Sequence, residues 1–316
     1  MKNVQVNKPT LPILAILGCC LIWGTTFTVV KDVSKSIDPF LLSGLRNLIA
    51  TSALIAYIII AKKGKNLMDK NSLKSGFLLG ALLGTIYISQ TIGISFTSAN
   101  HSAFITCSAV IMVPVILFLF GWEKFTAKQI LSILMVTIGL VLLTLKSGLS
   151  GFNVGDLITL IAAVFCAVHI VFSGLYVRKY DFLSLIFYQF FFASLFSFLA
   201  LFSKQAFYNF PPILFENDAI YSVLYLGVMG TLFCYFVTVW GQKHVSTTYI
   251  ALIFSLEPLF ASVTNYLVLH EVFTTKEFIG AVIIFGGILL YSIPKKWFSI
   301  LSNDRNLPSG IPDKTK

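Results

Sequence analysis

Charged residues are scarce in this sequence. Asp, Glu, Lys and Arg make up 11% of its 316 residues, whereas a soluble domain carries roughly 25%. Hydrophobic residues make up 57%, with 30 Phe among them, and the mean hydropathy is +0.87. A soluble globular fold has no place for so many bulky apolar side chains, so the composition predicts a protein embedded in lipid.

The motifs of several other protein classes are also absent. No G-x-x-x-x-G-K-[ST], G-x-G-x-x-G or H-E-x-x-H pattern occurs, so neither ATP hydrolysis nor a hydrolytic metal site is predicted. The five cysteines lie in apolar runs without C-x-x-C spacing, which indicates packing residues and no disulfide, metal or cofactor. The net charge of +10 does not indicate a nucleic-acid partner, because Lys and Arg fall in short loops and in the tail.

Apolar runs of about 20 residues, the length that crosses the hydrocarbon core of a bilayer, fill most of the chain and predict an all-α integral membrane protein. The first run follows two lysines, as in a signal peptide, but it is too long for one, so we expect a retained helix. The ten predicted transmembrane helices lie near residues 11–31, 39–61, 75–95, 99–121, 127–146, 155–177, 182–203, 219–241, 247–269 and 276–294.

Loop charges predict the orientation of these helices. If the N-terminus is cytoplasmic, 17 of the 23 Lys and Arg residues fall in cytoplasmic segments, five fall outside, and Arg46 lies within a span. Cytoplasmic loops of membrane proteins carry an excess of positive charge. Both termini are therefore predicted to be cytoplasmic, in a multi-pass protein of the cell membrane, with residues 295–316 as a cytoplasmic tail.

The two halves of the chain are similar in sequence. A shift of 148 residues places EKFTAKQILSILMVTIGLVLL on EVFTTKEFIGAVIIFGGILLY and pairs Tyr87 with Tyr235. Earlier in each half, a shift of 143 pairs Asp38 with Asp181.

This similarity predicts the topology of the halves. Each half holds five predicted helices, an odd number, so the second half enters the membrane from the opposite side. Residues 11–146 and 155–294 are therefore predicted to form two inverted five-helix repeats. Inverted repeats of this kind are typical of secondary transporters.

These features resemble the drug/metabolite transporter superfamily, in its EamA branch. The resemblance covers residues 11–294 and rests on the duplicated unit, IWGTTF in the first helix, and LEPLFA followed by LHEVFT. It also rests on Arg46 in the second helix and on Gln189, which occupies the corresponding position in the seventh helix. It implies a ten-helix permease with a central cavity lined by helices 1, 3, 4, 6, 8 and 9, and a function in the export of amino acids or other small metabolites.

One departure from the family pattern concerns two prolines. Pro114 precedes Glu123 by nine residues, whereas Pro258 precedes Glu271 by thirteen. Because proline bends a helix, we expect the fourth and ninth helices to bend at different depths and the cavity to be asymmetric.

Polar residues within the apolar spans are the candidate substrate-binding residues, because such residues are costly in lipid and face a cavity or another helix. They recur at helical spacing on the six helices that the resemblance assigns to the cavity. The predicted substrate-binding residues are Trp23, Thr26, Tyr87, Gln90, His101, His169, Tyr235, Thr238 and Glu257. Each has a structural alternative, namely aromatic packing, a hydrogen bond between helices or, for the histidines, solvation or a satisfied place in the core.

Three further charged residues are expected to be structural. Arg46 follows Pro39 by seven residues, close enough to the interface for its stem to extend outward; an anion contact or an ion pair is the alternative. Glu123 and Glu271 lie at helix ends, where a carboxylate caps the next helix against its dipole.

Glu257 is the carboxylate for which we expect a role in transport. It lies near the middle of the ninth predicted helix, next to Pro258, where a lone charge is costly. We expect it to bind a cationic part of the substrate or to cycle a proton, together with a carbonyl group that the proline frees in the preceding turn. The alternative is a protonated side chain that fixes helix packing through a hydrogen bond.

The sequence thus predicts a secondary membrane transporter that exports small organic metabolites, such as amino acids or related amphipathic compounds, by alternating access. Its predicted partners are a small-molecule substrate and the lipid bilayer, with a proton or another coupling ion and the oligomeric state left open. The alternative is a membrane-embedded lipid-modifying enzyme. Such an enzyme would need an acid, a base and a nucleophile converging on one membrane face.

Overall fold

The computed structural model describes residues 10–63, 69–144, 153–208, 219–269 and 275–293. Within these residues the chain forms helices joined by short turns, with no β-strand, in agreement with the all-α prediction. In chain order the helices are α1 (Thr10–Val33), α2 (Pro39–Ile60), α3 (Lys70–Phe96), α4 (Ala99–Cys107), α5 (Ala109–Leu119), α6 (Ala127–Thr144), α7 (Val154–Tyr176), α8 (Phe182–Tyr208), α9 (Ala219–Tyr225), a π-helix (Leu226–Phe233), α10 (Cys234–Gly241), α11 (Thr247–Phe254), α12 (Glu257–Leu269) and α13 (Thr275–Ser292).

Eight helical stretches in the described residues are long and apolar enough to cross a membrane. Two of the predicted spans correspond to shorter apolar helices, Ala127–Leu142 and Phe278–Ser292. The prediction of a multi-pass membrane protein is therefore confirmed, whereas the count of ten spans stays a prediction. The predicted tail, residues 295–316, lies outside the described residues.

Two of the predicted spans are divided into shorter helices. The fourth is divided at Ser108 into α4 and α5, and the ninth is divided at Ser255 and Leu256 into α11 and α12. The 148-residue shift pairs Ser108 with Leu256, so both breaks fall at the same place in their halves. These breaks follow the similarity of the halves and not the positions of the prolines. That Pro114 and Pro258 bend the fourth and ninth predicted helices at different depths stays a prediction.

The eighth predicted span contains the π-helix, between α9 and α10. In a π-helix each N–H group bonds to the carbonyl five residues earlier, and such segments are frequent at functional sites. Thr231 Oγ1 donates to the Leu226 carbonyl oxygen at 2.8 Å, across the same five-residue interval. The equivalent stretch of the first half lies in α3, a regular α-helix, so the π-helix belongs to one half only.

Helix caps follow the relation between the halves. Asp38 accepts a hydrogen bond from a first-turn backbone N–H of α2 at 2.8 Å, and Asp181 accepts one from α8 at 2.9 Å. The 148-residue shift pairs Ser98 with Ser246, which cap α4 and α11 in the same way at 3.1 and 3.2 Å. Each of these caps satisfies an N–H group that the helix itself leaves unpaired. At these positions, similar sequence in the two halves therefore corresponds to similar local structure.

Glycines bring α6 and α13 close together. A Cβ built on Gly139 would come within 2.7 Å of the Gly280 carbonyl oxygen, and one built on Gly287 within 3.0 Å of the Ser132 carbonyl oxygen. Gly139 and Gly287 are paired by the 148-residue shift, so each half contributes an equivalent glycine to this contact. Helix α1, in turn, contacts α3, α4, α10, α11 and α12, and the candidate site lies among these helices.

Candidate functional site

The two divided helices meet at their breaks. Cys107 ends α4, and its Sγ donates to the carbonyl oxygen of Phe254, which ends α11, at 3.3 Å. Glu257 begins α12 just beyond this contact, and Pro258 is the second residue of that helix. Proline at this position costs no intrahelical hydrogen bond, because the first-turn N–H groups of a helix have no such partner.

The carbonyl group four residues before Pro258 accepts a hydrogen bond from a side chain. Proline removes the donor that would bond to the carbonyl four residues earlier, which here belongs to Phe254. That oxygen accepts the Cys107 thiol instead. Because a carbonyl oxygen has two lone pairs, this bond leaves one acceptor position, and the binding of a cation by this carbonyl together with Glu257 stays a prediction.

A cavity opens beside these breaks, with an empty volume of about 740 Å³ that includes some open solvent. Side chains from α1, α2, α3, α4, α5, α7, α10, α11 and α12 line the cavity. Eight of the nine predicted site residues are among them, namely Trp23, Thr26, Tyr87, Gln90, His169, Tyr235, Thr238 and Glu257. That they bind a substrate stays a prediction.

His101 is the predicted site residue that does not line this cavity. It lies in the first turn of α4, and its Nδ1 is 3.8 Å from Asp156 Oδ1 in α7. The same Asp156 oxygen accepts a hydrogen bond from Thr97 Oγ1 at 2.6 Å. His101 therefore belongs to a polar contact that joins the start of α4 to the start of α7.

Aromatic side chains form one wall of the cavity. The Trp23 ring contacts the Tyr235 ring edge-on, with 5.4 Å between the centroids, and Tyr235 contacts the Tyr87 ring at 6.1 Å. Trp23 Nε1 donates to the Gly230 carbonyl oxygen, within the π-helix, at 2.8 Å. Because ring packing and a hydrogen bond hold the Trp23 side chain in position, its ring offers a fixed surface to an apolar or planar part of a ligand.

Arg46 also lines the cavity. The expectation that its stem extends outward is wrong, because the residue is only 2% exposed. Its Nε donates to Thr231 Oγ1 at 2.9 Å, and its Cζ lies 3.6 Å from the centre of the Tyr87 ring. The charge of Arg46 could have predicted this position from the sequence, since charged residues inside a membrane face a cavity or the interior of the helix bundle. A stem that can reach the interface can also reach that interior.

Two further polar groups of the cavity have no hydrogen-bond partner among the described residues. They are His169 Nε2 and Thr238 Oγ1. Gln189 lies beside His169, but the two side chains do not meet hydrogen-bond geometry. Buried polar groups in proteins are nearly always hydrogen-bonded, so these two buried atoms are exceptions in residues that line the cavity.

Among the residues that the structure describes, Glu257 is the only carboxylate that lines the cavity. Its side chain makes no hydrogen bond or ion pair with any described residue. The alternative role, fixing helix packing through a hydrogen bond, therefore has no such bond to support it. The 148-residue shift pairs Glu257 with Ala109, which also lines the cavity. The asymmetry of the cavity thus lies in this chemical difference between the halves.

Glu123 does not cap the helix that follows it. Its Oε2 accepts from Thr248 Oγ1 in α11 at 2.6 Å, and its Oε1 accepts from a tyrosine hydroxyl of α13 at 3.5 Å. Thr126 and Gln129 cap the start of α6 instead, because Thr126 Oγ1 accepts from Gln129 N at 3.4 Å and Gln129 Oε1 accepts from Thr126 N at 2.9 Å. The capping prediction is therefore wrong for Glu123, while Glu271 lies outside the described residues.

The five cysteines are free thiols. Four are buried and Cys166 is partly exposed, and both Cys107 and Cys166 line the cavity. Within the part of the chain that the structure describes, no group of three or more His, Cys, Asp or Glu side chains is placed to hold a metal ion.

Residues that the two shifts pair with each other line the cavity together. Seven such pairs occur: Trp23 with Cys166, Thr26 with His169, Phe27 with Ile170, Tyr87 with Tyr235, Gln90 with Thr238, Thr106 with Phe254, and Ala109 with Glu257. Most of the cavity wall is therefore built from positions that are paired between the two halves.

The profile of the EamA-like transporter family matches this chain twice, over residues 10–145 and 153–293. The chain belongs to the EamA-like transporter family. The resemblance seen in the sequence is therefore confirmed, and the two matched stretches nearly coincide with the predicted halves. Membership in this family places the chain among transporters and not among lipid-modifying enzymes.

Named relatives of this EamA-like protein agree with that assignment. An uncharacterized transporter of Archaeoglobus fulgidus is 29% identical, over 89% of this chain and 85% of that protein. A probable amino-acid metabolite efflux pump of Escherichia coli is 26% identical, over 90% of this chain and 95% of that protein. A solved crystal structure superposes with a TM-score of 0.71 at 16% identity, over 89% of this chain and 97% of that chain. That last likeness shows a shared fold.

Proposed function

We propose that this EamA-like protein is a secondary transporter that exports small amphipathic metabolites, such as amino acids, by alternating access. In this proposal ten helices form two inverted repeats in the cell membrane, with both termini in the cytoplasm. The observation that carries the proposal is the cavity wall, to which both halves contribute paired positions. Transporters with inverted repeats hold substrate where the repeats meet and alternate access by moving one repeat against the other.

The divided helices support the same proposal. Transporters build their substrate sites from discontinuous helices, whose ends present polar backbone groups inside the membrane. Here α4 and α5, and α11 and α12, are divided beside the cavity, and Glu257 stands at the first position of α12. A carboxylate at that position is the principal acidic group available to the cationic part of a substrate or to a proton.

The chemistry of the wall supports an amphipathic substrate. The aromatic rings of Trp23, Tyr87 and Tyr235 offer apolar surface, and Glu257 offers a carboxyl group without a competing partner among the described residues. An amino acid carries an ammonium group and a side chain that match these two features. The printed name of the Escherichia coli relative, an amino-acid metabolite efflux pump, points to the same class.

Counterflow in proteoliposomes tests this proposal. Liposomes that contain the purified protein are loaded with an unlabelled mixture of amino acids, diluted, and supplied with the labelled mixture. We expect transient accumulation of at least one labelled amino acid above that in protein-free liposomes.

Two variants with the same added ring serve as a matched pair. Ala109→Phe fills the cavity, since Ala109 lines it, and should abolish accumulation. Gly18→Phe places the ring at an exposed position of α1 with no atom within 4 Å of a built Cβ, and should preserve accumulation. Absence of counterflow for every amino acid, or equal counterflow in both variants, would contradict the proposal.

A further inference from the structure

Arg46 presents a buried positive charge without a negative partner. It is 2% exposed and lines the cavity, and no Asp or Glu among the described residues forms an ion pair with it. A guanidinium cannot shed its charge, because it stays protonated under all conditions that proteins tolerate. A buried charge that lacks a counter-charge is strongly unfavourable, so this arrangement calls for an anion from outside the chain.

Two contacts fix the orientation of the guanidinium without neutralising it. Nε donates to Thr231 Oγ1, which itself donates to the Leu226 carbonyl oxygen of the π-helix at 2.8 Å. The plane of the group lies against the Tyr87 ring, with 3.6 Å from Cζ to the ring centre. The terminal nitrogens Nη1 and Nη2 make no hydrogen bond with a described residue. The edge that binds carboxylates in proteins is therefore not engaged.

Gly230 lies beside the terminal nitrogen Nη2 of Arg46. A Cβ built on Gly230 would lie 3.3 Å from Arg46 Nη2, so a larger residue at that position would crowd the terminal nitrogen. The 143-residue shift pairs Arg46 with Gln189, which is buried and uncharged. The same position in the second half thus tolerates a neutral side chain, which indicates that helix packing alone does not require the charge.

We propose that Arg46 binds the carboxylate group of the transported substrate through Nη1 and Nη2. This inference rests on the proposed function, since it assumes that the ligand of the cavity is the transported compound. Together with Glu257, the cavity then holds a binding group for each charge of a zwitterion. The ligand class is narrowed to molecules that carry both a carboxylate and an ammonium group.

Ligand-dependent thermal unfolding of the purified protein tests this inference without requiring transport. The four buried free cysteines react with a thiol-specific fluorescent dye only when the protein unfolds, and the signal is the rise above the dye reaction of the partly exposed Cys166. The probes are L-phenylalanine, its amide, which lacks the carboxylate, and 3-phenylpropionate, which lacks the ammonium group. Each is titrated in sodium gluconate and again in sodium chloride, so that binding of a small inorganic anion is detected separately.

We expect wild-type protein to bind phenylalanine at least about tenfold more tightly than its amide, because a hydrogen bond to a charged group contributes strongly to binding. Arg46→Gln, which copies the residue at position 189, should reduce this preference to less than about twofold. Arg46→Lys should retain part of it through its charge. Glu257→Gln should keep the preference for the carboxylate while weakening the binding of the amide.

The result that overturns the inference does not depend on whether Arg46→Gln folds. Equal binding of phenylalanine and its amide by the wild type, or no binding of any probe, would overturn it. Stabilisation by chloride that requires Arg46, without a preference for the carboxylate, would assign the site to an inorganic anion and also overturn it. Carboxylate preference without counterflow would instead contradict the proposed transport function and leave the Arg46 site standing.

Discussion

Replacement of Glu257 by glutamine should separate the function of this residue from any role in packing. Glutamine keeps the shape of the side chain and removes its charge. In the structure the carboxylate lines the cavity and has no hydrogen-bond partner among the described residues. No packing interaction is therefore lost with the charge, and the effect of Glu257→Gln should fall on substrate binding.

The expected magnitudes follow from this environment. A hydrogen bond between charged groups contributes roughly 1.5–3 kcal/mol, so loss of the contact to an ammonium group should raise KM about tenfold to a hundredfold. A lone charge near the bilayer centre costs on the order of 2.5–3.5 kcal/mol on insertion scales. Because the cavity is open to some solvent, this figure is an upper limit, and Glu257→Gln should unfold at the same temperature as wild type or higher.

The assay combines counterflow kinetics with thermal unfolding of the same preparations. Glu123→Gln is the matched control, because Glu123 lies outside the cavity, where it accepts from Thr248 Oγ1 at 2.6 Å. We expect Glu123→Gln to leave KM unchanged and to lower stability slightly. Any dependence of the wild-type rate on pH that arises from Glu257 should disappear in Glu257→Gln and persist in Glu123→Gln.

Two outcomes would refute this reasoning. If Glu257→Gln transports with the KM and the pH dependence of the wild type, the carboxylate has no role in binding. If it unfolds at a clearly lower temperature than both the wild type and Glu123→Gln, the carboxylate makes a packing contact that the structure does not contain.

Gly139→Ala should lower the free energy of unfolding by about 1–3 kcal/mol through overpacking, because its Cβ would lie 2.7 Å from a carbonyl oxygen of α13. Gly18→Ala, whose Cβ would have no atom within 4 Å, is the control. Equal melting temperatures of the two variants would contradict this packing. Thr231→Val should cost about 1–3 kcal/mol, because it leaves the buried arginine Nε without its acceptor; an unchanged melting temperature would show that this bond contributes nothing. In a cysteine-free background, a cysteine at Lys35 should react with an impermeant reagent from outside, and one at Lys243 from the cytoplasm; reaction of both from the same side would contradict the predicted topology.

The cavity-lining residues could be predicted largely because membrane helices obey a simple rule. Polar side chains in an apolar span must face a cavity or another helix, and spacing along each helix shows which of them share a face. Tyr87 and Gln90, three residues apart in α3, both line the cavity, as do Tyr235 and Thr238 at the paired positions. The similarity between the halves made these predictions stronger, because it repeated them.

Arg46 and the π-helix could not be predicted in the same way. A long flexible stem allows an arginine near a helix end to face the interface or the interior, and only the packing of α2 against the π-helix decides. The π-helix has no counterpart in α3, although the two stretches are paired by the 148-residue shift. Its carbonyl at Gly230 and its Thr231 hydroxyl contact Trp23 and Arg46, so tertiary contacts accompany the irregular backbone.

The helix breaks and the contacts of Glu123 could not be predicted from neighbouring residues in the sequence. Proline positions suggested bends at different depths, but α4 ends at Cys107 and α11 at Phe254, where a thiol–carbonyl hydrogen bond joins them. Glu123 was likewise assigned to a local cap, whereas it bonds to residues of α11 and α13. In both cases a hydrogen bond joins residues that are far apart in the chain. The Phe254 carbonyl accepts from Cys107, and the Glu123 carboxylate accepts from α11 and α13.

Labelling of Cys166 tests the central claim, alternating access to this cavity, most directly. Cys166 lines the cavity and is the partly exposed thiol among the five, so it serves as a sole cysteine after the other four are replaced by alanine. An impermeant thiosulfonate reagent is applied to the outside or to the inside of membrane vesicles, with and without an amino acid that shows counterflow. We expect reaction from both sides, slowed by that amino acid on each. Reaction from one side only, at a rate that the amino acid does not change, would contradict it.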